Sequence, residues 1–501
     1  MKVSSMWSKK GGLGYVLLFI LLLASAYQME KHMSQGHDWG GDFALYLNQT
    51  QALLEGSLQE LYKSNQFTVE KSDRLIGPYL YPMGYPLLLS PLMAALGMNF
   101  YALKVYTNLF FYLGLVLLFR LIKPHFKSLL PPLLLIACLA FSEYFLFHGD
   151  QLLSDFPFFF FVMLCLNLFK KKQSSKEQIV LGSLIFFTYL IRELGVMLLP
   201  ALFIFQLKHH SLKELLKSKY QSYLSFVVLL LLSFLLFPFG SRNHLSLFVE
   251  QLSWESFSMN IDYYADLLET YLRGVTHYEY LPYLLAALFL AGIIYKLKKL
   301  PHWISFFLLS ILVLLLWPYH QGVRFIFVSL PFLFFFILSP LESVPKWPRF
   351  LLVYPFFVFL SWGLLSETLA QNQKNLALET NQIYQAENIA LYDYLNQHYT
   401  ENDTIVFFKP RVLRMFCGVK SLYLQPDSFM QSPYPTLITS PWFPPRGIDS
   451  GLFVTNFGPY GIFQKTKIKG SFCFAHHSKN FNLDRLVPID ENSYSSLKKS
   501  L

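Results

Sequence analysis

The chain has 501 residues and a formal net charge of +10, and it is 54% hydrophobic against only 14% charged. A soluble globular domain carries roughly a quarter charged residues, so the mean hydropathy of +0.37 excludes an ordinary soluble enzyme and points to a polytopic α-helical membrane protein. The basic balance fits Lys and Arg acting as topology signals and calls for no nucleic-acid partner.

Lys2, Lys9 and Lys10 precede an apolar run from Leu13 to Ala26. The run has the layout of a secretory signal, with small residues at Ala24-Ser25-Ala26, but many further spans follow, so an uncleaved first helix is expected. With flanks and tilt allowed, a crossing needs about 20 residues. Stretches of that kind fall at about 12–30, 101–122, 129–147, 154–169, 178–192, 195–207, 221–239, 281–295, 303–318, 324–339 and 349–367. They predict about eleven transmembrane helices. Gly84 to Leu96 is apolar but short and holds Pro86 and Pro91, which predicts an interfacial or re-entrant segment.

Alternating the loops places Lys123 and Lys127, Lys170 to Lys176, Lys208 to Lys219, and Lys296 to Lys299 on the same side as the N-terminus. The opposite side receives fewer cations over longer loops. The positive-inside rule therefore predicts a cytoplasmic N-terminus, and the odd span count puts the tail outside. The domain division expected is 1–370 for the transmembrane part, with a first outer loop of about 31–100, and 371–501 for a small extracytoplasmic α/β domain. In that tail Gln371 to Tyr399 reads as helix, Thr404 to Phe408 as strand, and the Pro-rich stretches at 432–435 and 442–445 as turns. Cys417 and Cys473 lie there, where an oxidising compartment permits a disulfide or two separate thiols.

Ionisable residues near span ends are the informative ones in such a chain, and here they gather on the outer side. Gly36 to Gly56 places Asp38 and Asp42 just beyond the first span. Arg74 and the aromatic, Pro-rich run from Gly77 to Leu92, including Tyr81, follow in the same loop. Glu143, His148 and Asp150 occupy the second loop, and Asp155 heads the next span. Arg192 sits in a tight hairpin, and His320 and Arg324 lie between two later spans. Bland roles exist for each: Asp38 as a helix cap, Asp155 as a favoured charge at a helix start, Arg192 and Arg324 as snorkelling anchors. Taken together, carboxylates with Arg and His at a membrane face suit transfer from a lipid-phosphate sugar. The leaving phosphate needs positive charge, and the attacking hydroxyl needs one positioned base. No phosphate-loop, dinucleotide, zinc-protease or Cys-pair motif competes.

Gly41-Asp42-Phe-Ala-Leu-Tyr46 with Ala52 to Gly56, Tyr81-Pro-Met-Gly-Tyr-Pro86, Leu153-Ser-Asp155-Phe-Pro157, Arg192-Glu-Leu-Gly195 with Leu199-Pro200, and Arg324 with Leu330-Pro331 resemble, in order, the motifs of the GT-C superfamily. These are integral membrane glycosyltransferases, such as mannosyltransferases and aminoarabinose transferases, that use polyprenyl-phosphate-linked sugars. The resemblance covers roughly residues 10–340. It implies that Asp42 is the base for the acceptor hydroxyl; Asp38, four residues earlier, is a further catalytic candidate on its own position near the first span. Asp155 would be a second acidic residue that orients substrate or holds a divalent cation (Mg or Mn). Arg192, Arg324, His320 and Tyr81 would serve the donor phosphate, with Arg74, Asp150 and Glu143 in acceptor or secondary roles. The family commonly has a carboxylate directly beside its first-loop Asp. Here Trp39-Gly40-Gly41 intervenes, and the metal question stays open. The acceptor would be a lipid, a glycan or a protein, and single displacement would invert the anomeric centre. A transporter or flippase for a lipid-linked glycan would instead show discontinuous mid-membrane helices and internal repeats. A glycan ligase or polymerase would rest on Arg and His without a first-loop Asp.

Overall fold

A computed structural model describes residues 9–74, 76–237, 253–271, 281–317, 320, 322–343, 355, 366, 370, 382–425, 428, 432–433, 436–439, 452–457 and 460–464. The chain divides into two compact units. The first takes in Met1–Ser34, Pro82–Gly240 and His244–Glu379; the second gathers Gln35–Tyr81 with Thr380–Leu501. The boundary expected at 370 separates the first outer loop from the tail, whereas chain contacts group most of that loop with the tail.

The first unit is helical among its described residues. Lys9–His32 and Phe100–Ile122 are its long helices. Leu13, Val16, Phe19, Ile20 and Leu23 of the former are exposed, the face a helix presents to hydrocarbon, where its backbone is satisfied internally. The Phe100–Ile122 helix starts where the Asn99 side chain accepts from the Ala102 N–H, satisfying one of the orphan donors of a helix start. Ser175–Ile191 starts in a capping box between Ser174 and Glu177. Asp155–Leu168 packs along Phe100–Ile122, and an aromatic floor lies beneath its first turn. The ring of Phe327 sits 4.2 Å from that of Phe145 and 4.9 Å from that of Phe159, while Phe111 stacks on Phe156 at 4.7 Å. Aromatic burial of this kind dominates core energetics.

The count of eleven crossings is not confirmed. Gly12–His32 and Phe100–His125 are long and apolar enough to span a membrane, and Leu212–Ser218 with Gln221–Leu236 makes a pair bent by 53°. The other apolar helices of this unit, Gly84–Leu96 among them, run 10–17 residues. Local chemistry divides the longer runs. The stretch 129–147 breaks at Phe141-Ser142 into Leu130–Ala140 and Glu143–His148. The stretch 195–207 begins in a 3-10 turn, Glu193–Met197, before Leu198–Leu207, and 324–339 passes through the 3-10 turn Gly322–Phe325 before Leu330–Leu338. The expected span at 349–367 lies almost wholly outside the described residues.

The second unit has the α/β character expected of the tail. Its strands are β1 (Thr404–Val406), β2 (Lys420–Leu422), β3 (Thr436–Thr439), β4 (Leu452–Phe457) and β5 (Tyr460–Gln464), in the sheet order β2-β1-β3-β5-β4. β1 pairs in parallel with β2 and β3, and β5 pairs antiparallel with β3 and β4. Parallel neighbours need a crossover, and the Pro410–Cys417 helix supplies it between β1 and β2. The first-loop helices Asp42–Glu55 and Leu58–Lys71 pack on this framework. The Thr68 hydroxyl donates to the Ser421 carbonyl (2.7 Å), the Tyr423 N–H to the Ser72 hydroxyl (3.0 Å) and the Gln425 N–H to Asp73 Oδ2 (2.6 Å). Cys473 lies outside the described residues, so a pairing with Cys417 is not described.

Candidate functional site

The residues singled out in the sequence are divided between the two units.

In the first unit three distant loops meet. Asp155 opens the Asp155–Leu168 helix and is buried. Arg192, which closes the Ser175–Ile191 helix, forms an ion pair with its Oδ1. Arg324, on the Gly322–Phe325 turn, holds Nε 3.5 Å from its Oδ2. One carboxylate thus meets two guanidinium groups in a buried place, where charges are held only when paired. The Arg192 guanidinium also lies 5.5 Å above the Phe325 ring, a geometry that favours the cation. His148 is a further electrostatic neighbour of Asp155.

Close backbone packing aims Arg192. A Cβ on Gly84 would lie 2.5 Å from the Leu190 carbonyl carbon and 2.6 Å from the Ile191 nitrogen, and one on Gly195 would lie 2.7 Å from the backbone of Thr188 and Tyr189. Both positions admit only hydrogen, so backbone presses on either side of the turn that presents Arg192.

His320 is exposed and stacks on Tyr263 at 3.9 Å. Its Nε2 donates to Asn260 Oδ1 (2.6 Å), whose amide in turn donates to the carbonyls of Leu315 (2.9 Å) and Trp317 (2.7 Å). The Gly322 N–H donates to the Tyr263 hydroxyl (2.9 Å), which ties the loop bearing Arg324 to the same helix. That helix, Trp254–Tyr271, was not anticipated. Its Tyr264 lies within electrostatic reach of Arg192, and the i, i+3, i+4 spacing of Asn260, Tyr263 and Tyr264 on an amphipathic stretch was the available signal.

Asp150 bonds to Lys104 and Ser34. Glu143 opens the short Glu143–His148 helix. Asp150 Oδ1 accepts from Lys104 Nζ (2.5 Å) and from the Ser34 N–H (2.6 Å). Lys104, fully buried, also donates to the Ser34 carbonyl (3.1 Å). This carboxylate therefore fastens three segments of chain together.

In the second unit Asp42 is the first residue of the Asp42–Glu55 helix, and its Oδ1 accepts from the Tyr81 hydroxyl (2.6 Å). Tyr81 is held on both sides. Its backbone N–H and C=O exchange bonds with the Gln49 side chain (2.8 and 2.9 Å), and its ring stacks on Tyr46 at 4.7 Å. Arg411 lies 5.9 Å from the same ring and donates to the Pro78 carbonyl (2.5 Å). Desolvation, reinforced by the Asp42 carboxylate, pushes the Tyr81 phenol well above its ordinary value, so it stays a donor at any physiological pH.

Asp38 does not cap that helix. The residue before it is Gly41, with no side-chain cap. Asp38 Oδ1 instead accepts from the Gly40 N–H (2.9 Å) and from His37 Nδ1 (2.8 Å), and buried His37 stacks on Phe43 at 3.8 Å. An Asp bonded to the backbone two residues on makes a local turn, and the two glycines after Trp39 allow it. Arg74 stacks 3.8 Å over Tyr423 and donates to the Phe408 carbonyl (3.3 Å). Lys409, which no sequence motif marked, is drawn below the usual lysine range by burial and by Arg74, while Asp38 and Asp42 act in the opposite sense. It therefore lies in the field of both first-loop carboxylates.

Among the described residues no group of three or more His, Cys, Asp or Glu gathers as a metal site. Asp155 faces two guanidinium groups, and Asp38 is engaged by His37 and a backbone N–H. These surroundings do not fit a divalent cation.

No protein-family model and no curated protein matches the sequence. Solved structures do. ArnT from Cupriavidus metallidurans in the apo state matches with a TM-score of 0.57, and ArnT from the same organism bound to undecaprenyl phosphate with 0.56. Both are 11% identical, and each match covers 90% of this chain and 98% of the ArnT chain. The GT-C resemblance read from the motifs is borne out at the level of the fold.

Proposed function

We propose that the chain is an inverting glycosyltransferase of an inner or plasma membrane that moves a sugar from a polyprenyl-phosphate donor to a hydroxyl acceptor on the extracytoplasmic face. The observation that carries this reading is the buried meeting of Arg192 and Arg324 on Asp155, in a fold shared with an ArnT that binds undecaprenyl phosphate. Two guanidinium groups are matched to the charge and fork geometry of a phosphate. A phosphate entering there would take over part of the charge that Asp155 holds in the resting protein.

The Asp42 carboxylate takes the proton of the acceptor hydroxyl as its oxygen bonds to the anomeric carbon. The bond from that carbon to the phosphate oxygen breaks, and the polyprenyl phosphate leaves with the electron pair. Its charge needs cations rather than a proton, the role given to Arg192 and Arg324. Tyr81 keeps the Asp42 carboxylate aimed and ionised through its hydroxyl.

Sugar transfer by the purified protein is the test, using radiolabelled undecaprenyl-phosphate sugars and a membrane-extract acceptor. Wild type should transfer from at least one donor. Asp42→Asn should lose roughly 100- to 10,000-fold in rate, the contribution of one general base, with its melting temperature unchanged. Equal rates for the two would move the base elsewhere. Arg192→Gln and Arg324→Gln should each weaken undecaprenyl phosphate binding about 10- to 100-fold, the worth of one charge-assisted hydrogen bond. Unchanged binding in both would remove the phosphate from this place.

A further inference from the structure

The basic end of the first unit carries a second cluster that the transfer reaction does not use. Three imidazoles gather there around two aromatic rings. The Phe205 ring lies 5.0 Å from His209 and 4.9 Å from His302, and the Trp303 ring lies 6.1 Å from His302 and 5.0 Å from His125. Four stretches supply them: the Lys123–His125 turn, the Leu198–Leu207 helix, the residues after it, and the start of the Pro301–Leu315 helix. Lysines surround the group. Lys208 acts on both His302 and His209, Lys171 on His209, and Lys296 and Lys299 on His125. Lys208 Nζ donates to the Lys299 carbonyl (2.5 Å), which spends one of its three donors. Glu342 acts on Lys296 and accepts from the Lys127 N–H (3.3 Å).

His302 is 6% exposed, and its Nδ1 is buried without a hydrogen-bond partner among the described residues. An unsatisfied buried ring nitrogen costs free energy, and the lysines crowded around it repel one another. A bound anion would relieve both. It would offset the lysine field and make protonated imidazole a good donor to it.

We propose that this cluster binds the phosphate of an anionic phospholipid headgroup. The shared chemistry is a phosphate anion, and the surroundings favour a lipid as its source. Phe203 and Leu207 on one of the contributing helices, Leu308 and Leu312 on another, and Leu297 beside Lys296 are all exposed, apolar side chains on the same elements as the cationic cluster, a combination that suits acyl chains below a charged headgroup.

Melting of the full chain in detergent tests it, with dioleoyl phosphatidylglycerol, the same amount of dioleoyl phosphatidylcholine, or inorganic phosphate. Phosphatidylglycerol should raise the melting temperature of wild type, because a ligand bound only to the folded state stabilises it, while the other two leave it in place. Lys208→Gln and the pair Lys208→Gln with Lys299→Gln should lose most of that rise with little change in the lipid-free melt. Lys176→Gln, an exposed lysine outside the cluster, should keep it. An equal rise with phosphatidylcholine, an undiminished rise in the Lys208 and Lys299 variants, or the same loss in Lys176→Gln would each overturn the proposal. A rise produced equally by inorganic phosphate would overturn the lipid as occupant.

Discussion

Tyr81 and Asp42 show how much a single contact depends on its supports. Gln49 fixes the Tyr81 backbone twice and Tyr46 stacks on its ring, which holds the hydroxyl on the carboxylate. Gln49→Ala should therefore cut transfer while leaving Asp42 in place, and Tyr81→Phe should move the acid limb of the pH–rate profile upward. Removing a donor to the carboxylate favours its protonated form, so activity would fall away at a higher pH than in wild type, and an unmoved limb would separate Tyr81 from the base. The sequence displayed Asp42 and Tyr81, being acidic and aromatic at a span end, but Gln49 is one polar residue among many on an amphipathic helix. Lys104 was legible in principle, as a lone lysine inside an apolar helix. Its partner was not, because Asp150 stands 46 residues away and nothing local joins them. Asp150→Asn should cost about 3–5 kcal/mol, since it leaves a buried ammonium unmatched. Adding Lys104→Met should recover much of that in a melt, and no recovery would deny the coupling.

At the scale of elements, helix starts followed their caps while helix lengths did not follow hydropathy. Ser174 and Glu177 formed the capping box that their spacing allows, and Glu177 is held down to about 2, first by Lys170 and then by Ser174. A depressed carboxylate contributes stability that is present above its unfolded value near 4.5 and lost as pH falls toward 2. Wild type should thus lose more of its melting temperature than Glu177→Gln between pH 5 and pH 3, and equal losses would remove the cap from the account. The apolar runs at 129–147 and 324–339 read as single crossings because composition alone does not register a break such as Phe141-Ser142. Gly84 and Gly195 are the element-scale counterpart of Arg192. A methyl group at Gly84 meets backbone that cannot swing aside, and overpacking of this kind costs about 1–3 kcal/mol. Gly84→Ala should lower both the melting temperature and undecaprenyl phosphate affinity, whereas Gly97→Ala, at a position with open space around it but a φ of +65°, should cost stability alone.

Across the whole molecule, motif order along the chain proved more telling than any one motif, because three loops far apart in sequence carry Asp155, Arg192 and Arg324 to one place in the first unit. The tail was legible as α/β from its strand and turn residues. Its alliance with Gln35–Tyr81 was not, since the bonds involved are made by ordinary Ser, Thr and backbone groups. That alliance fixes an order of events. Ser72 must wait for Tyr423, 351 residues later, and at a synthesis rate of roughly 5–20 residues per second the delay is on the order of 20–70 s. Throughout that interval the loop bearing Asp42 has left the ribosome without the surface it folds against. The surface that completes this loop is thus made long after the loop itself, a delay written into connectivity rather than into any regulatory group.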